Sequence, residues 1–348
     1  MIRHTDQDLL LKTVQPLLQE CFSQPRGTPI LTPLAADAST RRYFRIQWLE
    51  PASVPRTCIL MCCEPWLVAD LPDFLAVAQH LRASGVQVPR VYGISPPQGL
   101  ICLEDFGDTT LAASWQTASA ATRMHWGARA IDEVVKMHTV GTQRRDSSCP
   151  AFYLAFDVPK LLSELQFFRQ HAITGLWHHS LTETEQQAFD AACTPLCALL
   201  ASQPRYFCHR DYHGWNIMVH NGTVGVLDFQ DARLGPQPYD VVSLLVDRGT
   251  PEVLRQEGLT ALMAYYMQRM EAEEGRRLDR QAFIELSAYV AVQRCLKAIG
   301  TFAYMHVVRG RQQYLPYIPP TLTYIRPLVS RYEILRDLAV LLRRYMPL

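Results

Sequence analysis

The spacing of apolar and polar residues changes twice along the chain. Residues 1–20 place apolar side chains at helical intervals, and residues 73–84 do so again before Gly85, a residue suited to a left-handed helix end. Between and after these two helices the apolar stretches are short and typical of strands. They predict strands at 30–32, 42–46, 58–61, 88–93 and 100–103.

Beyond a polar link at residues 104–108, helical spacing dominates. It predicts helices at 118–140, 158–171, 182–202, 252–273, 281–306 and 320–344, with one β-rich interruption at 205–230. We therefore expect an α+β, bilobal enzyme with its cleft at the hinge. The expected divisions are a small β-rich N-lobe at 1–103, a hinge at 104–108 and a larger, mostly helical C-lobe at 109–348.

Composition excludes several functional classes. The 348 residues carry 34 Lys and Arg against 33 Asp and Glu, so bulk basicity cannot hold the chain to nucleic acid. No apolar run approaches the ~18–20 residues of a membrane span, and the N-terminus lacks the apolar stretch of a signal peptide. The ten cysteines are scattered and are expected to be reduced thiols. We expect a cytoplasmic protein without membrane or nucleic-acid partners.

The segment from His209 to Asn216 carries the strongest chemical signal. It fits the pattern H-R-D-x-x-x-x-N without a gap. In phosphoryl transfer the Asp of this loop, here Asp211, accepts a hydrogen bond from the attacking hydroxyl, and the Asn holds Mg²⁺. A short loop can place a carboxylate at the nucleophile and an amide oxygen at the metal on one support.

Asp228 follows Asn216 by twelve residues. Between them, Asn221-Gly222 separates two apolar β-like stretches, which is a strong hairpin signal. The hairpin would bring Asn216 and Asp228 side by side, as two ligands of one Mg²⁺ require. Each residue alone could be a turn former, a cap or a polar strand end. Their joint spacing favours the chemical interpretation.

These motifs, with residues 235–245, resemble the aminoglycoside-phosphotransferase-like branch of the protein-kinase-like fold. The segments DASTRRYFR (37–45), LEDFGD (103–108), DFQD (228–231) and QRCLKAIGTF (293–302) are similar to bacterial anomeric N-acetylmuramate/N-acetylglucosamine kinases. The resemblance covers about residues 30–330. It implies a kinase that uses ATP and Mg²⁺ to convert such a sugar to its 1-phosphate in peptidoglycan recycling.

The resemblance also implies roles for single residues. Asp211 would act as the base or hydroxyl-orienting carboxylate, His209 and Arg210 would brace its loop, and Asn216 and Asp228 would bind Mg²⁺. Asp240 would be a buried acceptor for backbone groups of the loop. The implied nucleotide-binding residues are Ser39, Thr40, Arg41, Arg42, Arg45, Leu103, Glu104 and Asp105.

The nucleotide side departs from the kinase pattern in two ways. The N-lobe has no G-x-G-x-x-G, and the strand at 58–61 carries no lysine for the α/β-phosphates. Arg41, Arg42 and Arg45 are the nearest replacement cations, and arginine suits bidentate phosphate contact. Because side chains alternate across a strand, Arg41 and Arg45 share one face and Arg42 lies opposite, so the three cannot all face the nucleotide.

One wall of the acceptor site is implied by the helix at 158–169. Glu164 and Phe168 share a helical face and offer a carboxylate for sugar hydroxyls and an aromatic ring to support the sugar. The alternative is an ordinary amphipathic helix with a surface glutamate. His213, two residues after Asp211, would either contact the acceptor or pack within the loop.

Charge near the C-terminus bears on the type of acceptor. Residues 291–348 hold nine Lys and Arg against two Asp and Glu, which favours a neutral or anionic acceptor over a polycation. N-acetylmuramate carries a lactyl carboxylate. Arg294 and Lys297 are candidate partners for it, the alternative being solvent-facing cations on a late helix.

Two other functions remain open from the sequence. The chain could phosphorylate another hydroxyl compound, such as an aminoglycoside, choline or a different sugar. It could also be a catalytically weak, kinase-like protein that binds nucleotide or sugar, although the intact Asp211, Asn216 and Asp228 count against this. The expected partners are ATP and an amino sugar, and the expected state is a monomer.

Overall fold

The computed structural model of the chain describes residues 4–22, 29–34, 41–48, 57–67 and 72–346. Within these ranges, an antiparallel sheet near the N-terminus is followed by a mostly helical region, which confirms the predicted α+β, bilobal fold class. Ser39 and Thr40, two of the nucleotide-binding residues that the resemblance implies, lie outside the described residues.

Five strands form the N-terminal sheet. They are β1 (Ile30–Leu34), β2 (Arg42–Gln47), β3 (Thr57–Cys62), β4 (Val91–Ser95) and β5 (Leu100–Leu103), in the order β1-β2-β3-β5-β4 with antiparallel neighbours. One face packs on α1 (His4–Cys21) around Phe44 and Ile46, and the other borders a cleft. Strand β4 begins later than predicted, after Pro89, which has no N–H for a ladder.

Ten further helices complete the fold among the described residues. They are α2 (Asp73–Ala83), α3 (Leu111–Thr117), α4 (Ala120–Lys136), α5 (Val158–Phe168), α6 (Glu183–Ala201), α7 (Tyr239–Val246), α8 (Thr250–Glu274), α9 (Arg280–Val307), α10 (Ile318–Arg331) and α11 (Arg336–Tyr345). The helix expected at 320–344 is two helices, because Tyr332 adopts extended φ and ψ angles of −111° and 134°. No described helix combines the length and hydrophobicity needed to cross a bilayer.

Two small ladders carry the catalytic segment. Strand β6 (Arg205–Cys208) pairs with β9 (Arg233–Pro236), and β7 (Ile217–His220) pairs with β8 (Thr223–Val226). Asn221 and Gly222 connect β7 to β8 with φ angles of 47° and 76°, as a tight hairpin requires, which confirms the predicted hairpin. The end of the β6–β7 loop and the start of the segment after β8 are therefore adjacent, and the N–H of Leu227 donates to the carbonyl of Asn216 at 2.8 Å.

Helix α9 brings the motif at 293–302 against α5 and the catalytic loop. The two helices pack closely because Gly300 has no side chain. A Cβ atom added there would lie 2.7 Å from the Cα atom of Phe168 on α5. Gln293 and Arg294, one and a half to two turns earlier on α9, are buried despite their polarity. Their partners lie in the site described below.

Candidate active site

Buried hydrogen bonds anchor the loop between β6 and β7 to helix α7. The carboxylate of Asp240, on α7, accepts hydrogen bonds from the backbone N–H groups of His209 at 2.7 Å and Arg210 at 3.1 Å. The Nε2 atom of His209 lies 2.8 Å from the carbonyl oxygen of Leu227. Arg210 has a left-handed φ of 83°, which costs free energy in a non-glycine residue and persists where surrounding contacts impose it. These contacts fix the backbone just before Asp211.

Three cations surround the carboxylate of Asp211. Its Oδ1 atom lies 2.8 Å from the Nζ of Lys297 and 3.3 Å from the Nη1 of Arg294, and its Oδ2 lies 3.9 Å from the Nε of Arg210. Burial raises the pKa of Asp211, but the three positive charges outweigh burial and hold that pKa well below its usual range. Asp211 is therefore an ionised hydrogen-bond acceptor and a weak base at neutral pH.

The hairpin brings Asn216 and Asp228 together, as their spacing predicts. The Nδ2 of Asn216 donates to the backbone carbonyl of Asp211 at 3.0 Å and to Oδ2 of Asp228 at 3.3 Å. Asp228 has a φ of 62°, and its Oδ1 accepts a hydrogen bond from the Nε2 of Gln230 at 2.8 Å. An amide and a carboxylate thus meet beside Asp211. Such oxygen donors, with room for water and phosphate, fit Mg²⁺.

A cleft of about 850 Å³ opens between the sheet and the hairpin. The sheet contributes Arg41 and Tyr43, the link after β5 contributes Glu104, and the hairpin end contributes Asn216 and Asp228. The volume lies within the range of small-molecule sites, ~300–1,000 Å³. A ligand in this cleft reaches from the link to the Asn216–Asp228 pair.

The three candidate phosphate-binding arginines lie in three different environments. Arg45 donates to Asp105 at 2.7 Å and to Asp108 at 2.8 Å, so it joins β2 to the link. Arg42 is exposed and stands on the sheet face opposite Arg45, away from the cleft. Arg41 lines the cleft. Arg45 also lines the cleft, with its charge paired to two carboxylates. The pleat turns Arg42 away from the cleft, which corrects the expectation for that residue.

The link after β5 is held by its own polar groups. Leu103 is buried, and the N–H of Glu104 donates to the carbonyl of Arg90 at 2.8 Å. The N–H of Gly107 donates to Asp105 at 2.9 Å. Burial raises the pKa of Asp105, but Arg45 and the Gly107 N–H together lower it below its usual range. The Glu104 side chain also accepts a hydrogen bond from the N–H of Arg90 at 3.1 Å, so the side chains of Asp105 and Glu104 both stabilise the link.

Glu164 is a buried partner of the catalytic loop. One carboxylate oxygen lies 3.3 Å from Arg210 Nη2 and 3.3 Å from Lys160 Nζ, and the other accepts a hydrogen bond from Gln293 at 3.0 Å. Burial raises the pKa of Glu164, but Lys297, Arg210 and Lys160 hold it below its usual range. Glu164 thus connects α5, the loop and α9, and it is not the surface residue that an ordinary amphipathic helix would carry.

Two further acceptor candidates lie in packed positions. Phe168 is fully buried and packs against Trp177 and Phe189, with ring centres 6.0 and 6.3 Å away. This corrects the expectation that its ring supports a sugar, because the helical face it shares with Glu164 points into the core. The Nδ1 of His213 is buried without a hydrogen-bond partner, and burial lowers the pKa of this imidazole. His213 is therefore neutral within the loop.

Arg294 and Lys297 lie in the site, but with a different partner from the one expected. Both are ion-paired with the Asp211 carboxylate, so neither is free to bind a carboxylate of the substrate. Sequence reasoning missed Gln293, which hydrogen-bonds Glu164, and Arg248, described below. The spacing of Gln293, Arg294, Lys297 and Gly300 along one helix was the available signal.

Comparisons with known proteins agree with this geometry. The sequence profile of the phosphotransferase enzyme family matches residues 30–277. The chain is 31% identical over 319 residues to an N-acetylmuramate/N-acetylglucosamine kinase of Neisseria meningitidis serogroup B, covering 90% of this chain and 89% of the relative. A Pseudomonas aeruginosa protein of the same name is 31% identical over 318 residues, with 90% and 87% covered. The crystal structure of choline kinase from Cryptosporidium parvum superposes with a TM-score of 0.60 at 11% identity, covering 96% and 98% of the two chains, which shows a shared fold.

Proposed function

The chain belongs to the phosphotransferase enzyme family, and we propose that it transfers the γ-phosphoryl group of ATP to the anomeric hydroxyl of N-acetylmuramate or N-acetylglucosamine. The observation that carries this proposal is the ionised Asp211 carboxylate beside the Asn216–Asp228 pair at one end of the cleft. The sugar is proposed from the names of the relatives that align with most of the chain. The products would be the sugar 1-phosphate and ADP, formed in the cytoplasm, where ATP is available.

ATP would lie along the cleft, with its base against the backbone of residues 104–106. The N–H of Glu104 is used by Arg90, so the base would meet neighbouring backbone groups of the link. The triphosphate would then point toward Asn216 and Asp228, at the far end of the same cleft. Arg41 and Arg45 both line the cleft, and Arg41 is the one we place at the triphosphate, in the role of the absent strand lysine, because Arg45 is held by Asp105 and Asp108.

Asn216 and Asp228 are the residues that would hold Mg²⁺. Within the described residues the Asn216 amide uses its nitrogen in both of its hydrogen bonds, which leaves its Oδ1 as a metal donor beside the Asp228 carboxylate. When bound, the cation neutralises negative charge on the phosphates.

Asp211 acts by position more than by basicity. The sugar hydroxyl would donate a hydrogen bond to this carboxylate, and its oxygen would form a bond to the γ-phosphorus as the bond to the ADP oxygen breaks. The hydroxyl proton leaves along the hydrogen bond to Asp211. Phosphoryl transfer has a loose transition state that asks little of a base, so the low pKa of Asp211 is compatible with this role. Lys297 and Arg294 keep the carboxylate fixed.

A coupled assay of ADP release with ATP and Mg²⁺ tests the proposed substrate. The panel comprises N-acetylmuramate, N-acetylglucosamine, glucose, choline and kanamycin. We expect turnover with the two N-acetylated sugars and phosphate at C1 of the product. Turnover confined to choline or kanamycin would contradict the proposed acceptor, and ATP binding without turnover on any member would contradict an active kinase.

A further inference from the structure

Arg248 lies inside a cage of four aromatic rings. Its guanidinium carbon is 5.0 Å from the ring centre of Trp215, 5.3 Å from Tyr317, 5.6 Å from Tyr314 and 5.7 Å from Phe302. These rings come from the catalytic loop, from α9 and from the segment Gln312–Tyr317 that precedes α10. Four rings on one cation form a binding site of the type that recognises ammonium groups, and here an internal arginine fills it.

The guanidinium of Arg248 makes no hydrogen bond to any described residue and has one loose ion pair, with Asp247. The nearest carboxylate oxygen, Oδ2 of Asp247, is 4.0 Å from Nε, which is too long for a hydrogen bond. The Nε atom is buried and has no hydrogen-bond partner, and the side chain is only 15% exposed. A guanidinium has five N–H donors in a planar fork that matches a carboxylate. The rings hold this fork in place and leave its donors unused.

The cage is built on the catalytic loop and on the helix that carries Lys297. Trp215 adjoins Asn216, whose side-chain amide donates a hydrogen bond to the backbone carbonyl of Asp211 at 3.0 Å. Phe302 follows Lys297, the partner of Asp211, by five residues on α9, a rise of about 7.5 Å along the helix. None of the cage residues is among those lining the cleft proposed for ATP. Burial lowers the pKa of His213, two residues after Asp211, and the charges of Asp211 and Arg248 both act on this imidazole, so the guanidinium lies near the catalytic carboxylate and outside the ATP cleft.

We propose that Arg248 binds the carboxylate of an acidic acceptor sugar and thereby sets the preference between acidic and neutral sugars. The inference rests on the proposed function, because N-acetylmuramate has a lactyl carboxylate two ring carbons from its anomeric carbon and N-acetylglucosamine has none. A bidentate, charge-assisted pair with the guanidinium selects the acidic sugar. Because Arg248 fills the aromatic cage, the same residue excludes quaternary ammonium and polycationic acceptors.

Substitution at Arg248 separates this role from a purely structural one. Arg248→Met keeps an apolar chain against the four rings and removes the charged fork, and Arg248→Lys keeps the charge without the bidentate geometry. We expect the ratio of kcat/KM for N-acetylmuramate over N-acetylglucosamine to fall ~10–100-fold in Arg248→Met and by less in Arg248→Lys. Arg331→Met is the matched control, because Arg331 is exposed and stacks on one ring, that of Tyr332, 5.5 Å away. We expect the control to keep the wild-type ratio.

An unchanged ratio in Arg248→Met, or an equal loss with both sugars, would overturn the inference while leaving the sugar-kinase proposal intact. Wild-type protein inactive on both sugars would instead refute the proposed function. A binding experiment tests the cage without activity. By calorimetry, we expect Arg248→Ala to bind tetramethylammonium at millimolar concentration and the wild type to bind none. Equal binding by both proteins, or binding by neither, would overturn the exclusion of cations.

Discussion

Gly300→Ala tests whether the close approach of α5 and α9 aligns the catalytic groups. A Cβ atom at residue 300 would lie 2.7 Å from the Cα of Phe168 and 3.0 Å from its backbone nitrogen. Ordinary carbon–carbon contacts are about 3.5–4.0 Å. Because both obstructing atoms belong to a helix backbone, no side-chain rotation relieves the clash. The two helices must therefore separate by about 1 Å.

The separation affects activity more than stability. Overpacking costs about 1–3 kcal/mol, and replacing glycine by alanine in a helix regains roughly 1 kcal/mol, so the net loss of stability is about 0–2 kcal/mol. However, the two helices carry groups that hold the site. Gln293 on α9 donates to Glu164 on α5 at 3.0 Å, and Lys297 on α9 lies 2.8 Å from Asp211. A misplacement near 1 Å can cost ~100-fold in rate. We expect kcat to fall ~10–100-fold.

The assay is coupled ADP release at saturating ATP and sugar, with urea unfolding measured on the same preparations. Gly175→Ala is the matched control, because an added Cβ there meets nothing closer than the carbonyl oxygen of Gln170 at 3.4 Å. We expect this control to keep wild-type kcat. Wild-type kcat in Gly300→Ala, or an equal fall in Gly175→Ala, would show that the close approach of α5 and α9 does not align the catalytic groups.

Three further predictions concern the link, the metal pair and pH. Arg45→Met removes the ion pairs to Asp105 and Asp108, so we expect the KM for ATP to rise several-fold with little change in the KM for sugar. Equal rises in both KM values would show that these ion pairs do not act on nucleotide binding in particular. Asp228→Asn weakens one proposed ligand, so the Mg²⁺ concentration for half-maximal rate should rise more than about tenfold in a titration; an unchanged requirement would exclude this ligand. The folded-state pKa of Glu164 lies below its unfolded value of about 4.3, so its stabilising effect is full above that pH and is lost as pH falls below it. Urea midpoints between pH 3 and 7 should therefore fall less steeply with acid in Glu164→Gln, and an unchanged slope would contradict this assignment.

Local sequence signals predicted the parts of the site that local geometry determines. Asn221-Gly222 specifies its own turn, and that turn alone brings Asn216 and Asp228 together. Strand alternation likewise separated Arg41 from Arg42 across the sheet. In both cases the determining interactions act between residues close in the chain.

The remaining parts depend on contacts between distant segments. Lys297 meets Asp211 across 86 residues of sequence, and no local pattern indicates which helix supplies that cation. Phe168 shares a helical face with Glu164 whether that face binds a sugar or packs in the core, and only the tertiary structure shows that it is buried. Helix α7 was not predicted because every one of its residues is buried, which leaves no polar face to reveal its period.

The role of Asp211 is tested most directly by single-turnover kinetics of Asp211→Asn with ATP, Mg²⁺ and N-acetylmuramate. The substitution keeps the size of the side chain and removes the charge that Lys297 and Arg294 surround. We expect phosphoryl transfer to fall at least ~1,000-fold while the Kd for ATP changes less than about threefold. Transfer at near the wild-type rate, with the sugar 1-phosphate still formed, would contradict the role of Asp211 as the residue that positions the acceptor.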